Sequence, residues 1–271
     1  MKRMFHLKEV HYSNRNQGLN DEYPFNIPLV RSFTKIAFDA PITILVGENG
    51  TGKSTLLEAI ACAVGSITIS DIDIIKDREF EYARALSKHL KLSWTIKTNK
   101  GFFLRAEDFI NYLRKLHIMK TDMEQELADV DNRFHGRSQY ARDLARMPYT
   151  RSLYEMKNMY NGDLESKSHG ESFLEFFSAR FIPNGLYILD EPETPLSPMN
   201  QFAFMAMLKE MINQNSQFII ATHSPIIMAY PGATIYDLND LPIKKTDYMD
   251  IESVKFFKSF LNNPEGFLRY L

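Results

Sequence analysis

The residues Gly47-Glu48-Asn49-Gly50-Thr51-Gly52-Lys53-Ser54, with Thr55 behind them, have the types and the spacing to hold phosphate. Glycines let a backbone turn tightly enough to aim successive N–H groups at one point, and a helix opening near Lys53 adds the positive end of its dipole. Lys53 has the reach to meet β- and γ-phosphates, and the Ser54 hydroxyl is an oxygen ligand suited to Mg²⁺. A second chemical pair, Asp190-Glu191, ends the apolar run Leu186-Tyr187-Ile188-Leu189 and precedes Pro192. A carboxylate at the end of a buried strand can join a Mg²⁺ shell, which gives that place to Asp190. Glu191 beside it can take a proton from water as a general base. Each stretch alone could be an ordinary turn, but phosphate chemistry needs both.

These residues require a scaffold that gathers strand ends. Pro41 to Val46 is an apolar, β-branched run suited to a buried strand, and Ser54 to Val64 presents Leu56, Leu57, Ile60 and Ala61 at helical spacing. Residues 4–12 and Ser32 to Phe38 predict two early strands, with Pro24 and Pro28 keeping the chain between them extended. Ser66 to Ile75 is β-rich, and Lys76 to Leu90 predicts a helix. Lys91 to Thr98 and Phe102 to Arg105, around Asn99-Lys100-Gly101, predict a hairpin. Farther on, a helix over Glu171 to Phe181 leads to a strand at Gly185 to Leu189. A helix over Asn200 to Gln214 follows, with strands at Gln217 to Ala221 and Ala233 to Leu238. Strands alternating with helices imply an α/β fold with a mostly parallel sheet flanked by helices, beside an N-terminal antiparallel β-layer.

Composition narrows the classes. The 271 residues carry 32 basic and 34 acidic groups, for a formal charge of −2, so contact with nucleic acid or anionic lipid would need a local patch. The single cysteine, Cys62, excludes an intrachain disulfide and suits a reducing, cytoplasmic setting as a buried thiol. No apolar run reaches the ~18 residues that span a bilayer, and the first residues lack a signal-peptide core. The chain is expected to be one domain over 1–271 with a helical insert at 108–165. Within the insert, Asp108 to Met119 and Asp122 to Val130 predict helices without sustained heptads. Arg133, Arg137, Arg142, Arg146 and Arg151 follow, broken by Pro148. They form either a solvated helical face or a patch for nucleic acid or an acidic partner.

The order Val46 to Thr55, Ser168-His169-Gly170-Glu171-Ser172, Leu189-Asp190-Glu191-Pro192, Leu196-Ser197 and Ala221-Thr222-His223-Ser224-Pro225 resembles the ABC-type ATPases. Within them it is similar to stand-alone bacterial ATPases labelled AAA, whose heads resemble those of SMC and DNA-repair ATPases. The likeness runs over nearly the whole chain. It implies a P-loop ATPase that binds and hydrolyses ATP with Mg²⁺, its nucleotide held by residues 47–55. Ser168 and Gly170 then stand in the signature segment, which in such proteins binds the γ-phosphate on the other subunit's P-loop, so two copies would sandwich two ATP molecules. The segment departs from the LSGGQ form at Lys167, His169 and Glu171. His223 matches the switch histidine, and Leu196-Ser197 the loop that meets the opposite subunit. The family places a metal-side Gln after a strand some tens of residues past the P-loop. No Gln lies between Thr55 and Gln125, and Glu107 is the residue placed to supply that oxygen instead. Tyr12, Tyr23 and Phe33 are candidates for stacking on adenine.

The resemblance implies a cytoplasmic ATP-dependent homodimer that drives or gates a separate effector or partner protein, in DNA-related or defence processes, with nucleic acid a further candidate partner. Two other functions fit the same residues: the ATP-binding subunit of a membrane transporter, and a non-hydrolysing nucleotide sensor. The insert is too short and too aperiodic for a chromosome-tethering arm, and the stretch after His223 is too short for a nuclease domain.

Overall fold

The structure, a computed structural model, describes residues 6–13, 21–69, 78–159 and 168–269. The chain forms two compact units, one from Met1–Ala106 with Ile182–Leu271 and one from Glu107–Phe181.

The first unit is built on a six-stranded sheet in the order β5-β6-β7-β3-β8-β9. Its strands are β3 (Ile42–Val46), β5 (Phe103–Arg105), β6 (Leu186–Asp190), β7 (Gln217–Ala221), β8 (Thr234–Asp237) and β9 (Lys244–Thr246). All pair in parallel except β9, which runs antiparallel to β8. Every residue of β3, β6 and β7 is buried, as strands covered on both faces require. A three-stranded antiparallel sheet, β2-β1-β4, joins β1 (Leu7–Tyr12), β2 (Lys35–Ala37) and β4 (Leu90–Trp94). Gln217 ties the two sheets together. Its buried amide accepts from the Leu7 N–H and donates to the Leu7 carbonyl, each at 2.8 Å, satisfying groups that burial would otherwise leave unpaired.

The α/β architecture and the N-terminal antiparallel β-layer agree with the sequence; of the insert expected at 108–165, residues 160–165 lie outside the described residues. Several local expectations do not. Pro28 does not extend the chain; it occupies the first turn of a short helix, α1 (Pro28–Ser32), where its missing N–H has no partner to lose. Consequently the strand expected at Ser32 starts at Lys35. Of the helix expected over Lys76 to Leu90, 76–77 lie outside the described residues; the rest forms a 3₁₀ turn at Arg78–Phe80 and α3 (Glu81–Ser87), which ends before Leu90 because Leu90 pairs with Tyr12. Of the β-rich stretch at Ser66 to Ile75, Thr68 bridges to Phe103, while 70–75 lie outside the described residues.

The predicted hairpin at 91–105 is also replaced. β4 pairs with β1 and β5 with β6, so the two strands belong to different sheets. Gly101 is needed for a different reason. Its φ is +111°, and a Cβ there would lie 1.9 Å from the Leu186 carbonyl oxygen, where the chain runs against the start of β6.

In the second unit, the two expected helices form one, α4 (Ala106–Arg133). It is followed by α5 (Gln139–Met159) and α6 (His169–Arg180). Pro148 does not break α5; it lies inside the helix on the exposed face, where solvent can reach the carbonyl that the ring leaves unpaired. Arg146 contacts Asp131 at 3.4 Å and the Tyr149 hydroxyl donates to Glu126 at 3.3 Å, contacts that run in opposite directions along α4 and α5 and define an antiparallel pair. Phe109, Phe173, Phe176 and Phe177 form an edge-to-face aromatic core that joins α4 to α6.

Gly101→Ala is expected to destabilise the protein by about 3 kcal/mol or more, seen as a lowered urea midpoint. Gly136→Ala, also at positive φ but with nothing within 4 Å of the added Cβ, is the control and is expected to cost about 1 kcal/mol.

Candidate functional site

The cradle follows directly from β3 and the helix after it, α2 (Lys53–Val64). Gly52 closes the loop at φ +95°, and a Cβ there would press on Ile27 and Leu29 at 3.0 and 3.2 Å. No side chain caps α2, so the N–H groups of its first turn face the loop without a capping oxygen. Asn239 braces the other side, its side-chain oxygen accepting from the Glu48 N–H at 2.7 Å.

Lys53 is 5% exposed, and its Nζ donates to the carbonyls of Gly47 and Glu48 at 2.7 and 2.8 Å. Burial pulls its pKa below the ordinary lysine value, against the opposing pull of Glu191, Asp190, Glu193 and Glu48. The register explains those neighbours. Asp190 stands opposite Ala221, which stands opposite Leu45, so the carboxylate that ends β6 is level with the strand entering the cradle.

Asp190 is 6% exposed, and burial pushes its pKa up to about 6, although the Ser54 hydroxyl donates to its carboxylate and favours the charged form. Its Oδ1 is buried and has no hydrogen-bond partner among the described residues. A buried, unpartnered carboxylate oxygen beside a serine hydroxyl is the donor set that a hard divalent cation needs, so the residues fit Mg²⁺.

Glu191 has φ +49°, a left-handed conformation that is uncommon for a residue with a side chain. Its N–H still donates to the Ala221 carbonyl at 2.9 Å. His223 sits past the end of β7 with Nε2 3.6 Å from Glu191 Oε1. Burial first, and then the Lys53 ammonium, lower the imidazole pKa while Glu191 opposes, so the ring is neutral at pH 7.

A cavity of about 500 Å³ opens over the cradle, lined by Asn49, Gly50, Gly52, Lys53, Ser54, Thr55 and Glu191 with Tyr23 and Ile27. Among the three aromatic candidates, Phe33 is in the core, and Tyr12 stacks on His89. Tyr23 borders the cavity, with its hydroxyl 3.0 Å from the Thr55 hydroxyl. No local pattern in the sequence distinguishes it, since a short loop and a helix return it to the cradle.

Lys53, Ser54, Asp190, Glu191 and His223 are thus brought together in the first unit. Ser168, Gly170 and Glu107 belong to the second unit. Ser168 caps α6 in a reciprocal capping box, its N–H donating to Glu171 Oε2 at 3.0 Å and its hydroxyl to the same oxygen at 2.7 Å. Gly170 is buried in the first turn of that helix. Glu107 is exposed in the first turn of α4, where a carboxylate complements the helix dipole. Sequence reasoning missed Glu193, whose carboxylate accepts from the backbone of the His223 loop.

The parallel sheet, the cradle at the end of β3 and the carboxylates at the end of β6 define a P-loop nucleotide-binding fold. A profile of the AAA ATPase domain matches residues 85–228 and one of an AAA domain matches residues 26–89. The first match spans more than half of the chain, which therefore belongs to the AAA ATPase domain family. The chain is 22% identical over 193 residues to the thiamine import ATP-binding protein ThiQ of Vibrio cholerae, covering 68% of this chain and 69% of that one. It is 22% identical over 224 residues to the macrolide export ATP-binding/permease protein MacB of Photorhabdus laumondii, covering 79% of this chain but only 31% of that protein. A crystal structure of the Smc head domain with an extended coiled coil, bound to the C-terminal domain of ScpA, from Pyrococcus furiosus, aligns over 96% of this chain and 99% of that chain, at 13% identity with a TM-score of 0.44.

Tyr23→Ala is expected to raise the Kd for ATP about tenfold while Tyr23→Phe changes it by less than about threefold, as stacking on a base contributes ~1–3 kcal/mol. Fluorescent-nucleotide titration checks both.

Proposed function

We propose that this chain is an ATP-hydrolysing switch in which ATP joins two copies and hydrolysis releases them. The observation that carries this reading is the gathering of Lys53, Ser54, Asp190, Glu191 and His223 at one sheet edge, with Asp190 Oδ1 buried and unpartnered. In the proposed reaction the cradle N–H groups and Lys53 hold the β- and γ-phosphates, and Lys53 turns from the Gly47 and Glu48 carbonyls to the phosphate oxygens. Ser54 and Asp190 hold Mg²⁺, which when bound neutralises charge shared by those phosphates. Glu107 is proposed as a further oxygen donor to it.

Glu191 takes the proton of the attacking water. The left-handed backbone turns its side chain away from the β6 direction and leaves it part-exposed beside the cavity. Neutral His223 offers Nε2 as a hydrogen-bonding group on the γ-phosphate side. Ser168 and Gly170 are proposed to meet the γ-phosphate of the second copy, which requires Ser168 to exchange its Glu171 contact for phosphate. Leu196-Ser197 is proposed to meet that copy as well. No described helix is long and apolar enough to cross a membrane, and we place the cycle in the cytoplasm.

What the cycle drives is a separate partner or effector chain. The arginines of the insert give limited support to a nucleic-acid partner. Arg133 is bound to Glu126 at 2.7 Å and approaches Asp129 at 3.6 Å, Arg146 contacts Asp131, and Arg151 contacts Glu155 at 2.8 Å. These carboxylates offset the charge a phosphate track would need. A second reading, the ATP-binding subunit of a transporter, is favoured by the names of the thiamine import and macrolide export relatives. A neighbouring permease gene and ATP turnover only with that permease would support it.

Mg²⁺-dependent ATP hydrolysis and solution mass test the switch. The wild type is expected to turn over, while Glu191→Gln loses at least about 100-fold in kcat and forms a dimer only with ATP. Duplex DNA is expected to change the wild-type rate by less than about twofold. A monomeric, inactive wild type that still binds ATP would replace the switch with a partner-dependent sensor.

A further inference from the structure

The turn after β6 places a third carboxylate near the site. Past Glu191 the chain folds back through two tight turns, Thr194 N–H to the Glu191 carbonyl at 3.1 Å and Leu196 N–H to the Glu193 carbonyl at 2.8 Å. They direct Glu193 toward the neighbouring strand end, where β7 has just released the chain. Thr222 makes the last ladder bond there, to the Leu45 carbonyl at 3.2 Å, so the next N–H groups have no strand to pair with. Glu193 Oε1 accepts the His223 N–H at 2.6 Å and shares the Ser224 N–H, at 3.2 Å, with Thr222 Oγ1, which accepts it at 3.0 Å. The buried Thr222 hydroxyl donates to the same carboxylate.

A second tether joins the same two segments. The Ser224 hydroxyl donates to the Gln201 side-chain oxygen at 2.5 Å, and the Gln201 amide donates to the Leu196 carbonyl at 3.1 Å. The segment from Glu191 to Leu196 and the loop from Thr222 to Ser224 are therefore fastened at two points. The imidazole itself has no comparable hold. Its Nε2 is buried without a hydrogen-bond partner among the described residues and stands 3.6 Å from Glu191. With its ring unanchored, His223 is located through its backbone, and the group on that backbone is Glu193.

We propose that Glu193 is the positioning residue of His223: its carboxylate, rooted in the same turn as Glu191, grips the backbone of the His223 loop and sets the distance between imidazole and general base. This rests on the hydrolytic reading of the site. Glu193 itself touches no phosphate in this role and acts through His223 alone. Its Oε1 is committed to the His223 and Ser224 N–H groups, which ties the carboxylate to the loop.

The test uses the full chain with Glu193→Ala, Glu193→Asp, Glu193→Gln, His223→Ala and the double variant Glu193→Ala/His223→Ala. Glu193→Ala is expected to lower kcat about tenfold or more with the KM for ATP within about twofold, and Glu193→Gln, which keeps an acceptor oxygen, to recover to within about threefold of wild type. In the His223→Ala background, removing Glu193 is expected to cost less than about twofold more, since two residues acting through one group are not additive. Equal losses in both backgrounds, or a loss carried by KM, would overturn the proposal and leave Glu193 as a structural support.

The imidazole resonance of His223, assigned by its absence in His223→Ala, gives a readout independent of turnover. It is expected to shift in Glu193→Ala, and also in Glu193→Asp, which keeps the charge but withdraws the acceptor should the alanine variant not fold. An unmoved resonance sinks the proposal. A wild type without turnover would refute the hydrolytic function, while the resonance would still decide whether Glu193 sets His223.

Discussion

A lysine ammonium withdrawn from water must be surrounded by negative groups, and that requirement organises the sheet edge that carries the cradle. Lys53 is almost fully buried, and the groups that compensate it come from three separate places: loop carbonyls at Gly47 and Glu48, Asp190 and Glu191 at the end of β6, and Glu193 in the turn beyond. A buried ion cluster is sustained only when its geometry is close and its remaining polar atoms are paired. Most are paired here. Among the described residues, Asp190 Oδ1, Glu193 Oε2 and His223 Nε2 are the atoms of this edge that are buried without a partner.

The sheet meets that requirement through register rather than through local sequence. β7 lies between β3 and β6, so the P-loop, the carboxylate pair and His223 leave three adjacent strands at the same edge. A parallel sheet makes this possible because all its carboxyl ends point one way. Gln217 and the antiparallel β1-β2-β4 layer hold the sheet from its other end. The strain at Glu191 is a consequence of the same edge: its N–H continues the ladder to Ala221 while the backbone turns left-handed to present the side chain.

Different physical scales explain which expectations held. The cradle and the strands around Ile42–Val46, Leu186–Asp190 and Gln217–Ala221 were legible because each is a contiguous run whose burial shows in its own residues. The hairpin over 91–105 failed because Asn99-Lys100-Gly101 has turn chemistry, while strand pairing is chosen by partners far away: Leu7 to Tyr12 for β4, and Leu186 to Asp190 for β5. Pro148 misled for the converse reason. A proline disfavours a helix interior locally, but an exposed position beside a paired helix tolerates the lost bond.

By itself the sequence determined the chemistry available: a phosphate cradle with its lysine and serine, a strand-end carboxylate pair, a histidine after a third strand, and an α/β arrangement to carry them. Those features lie in runs of a few residues, where spacing alone constrains conformation. Only the tertiary structure decided how they act on one another. The lowered pKa of Lys53, the raised pKa of Asp190, the choice of Tyr23 at the cavity and the grip of Glu193 on the His223 backbone all arise between groups that are far apart in the chain. They depend on burial and on distances of a few ångströms, which exist only once the strands have found their register.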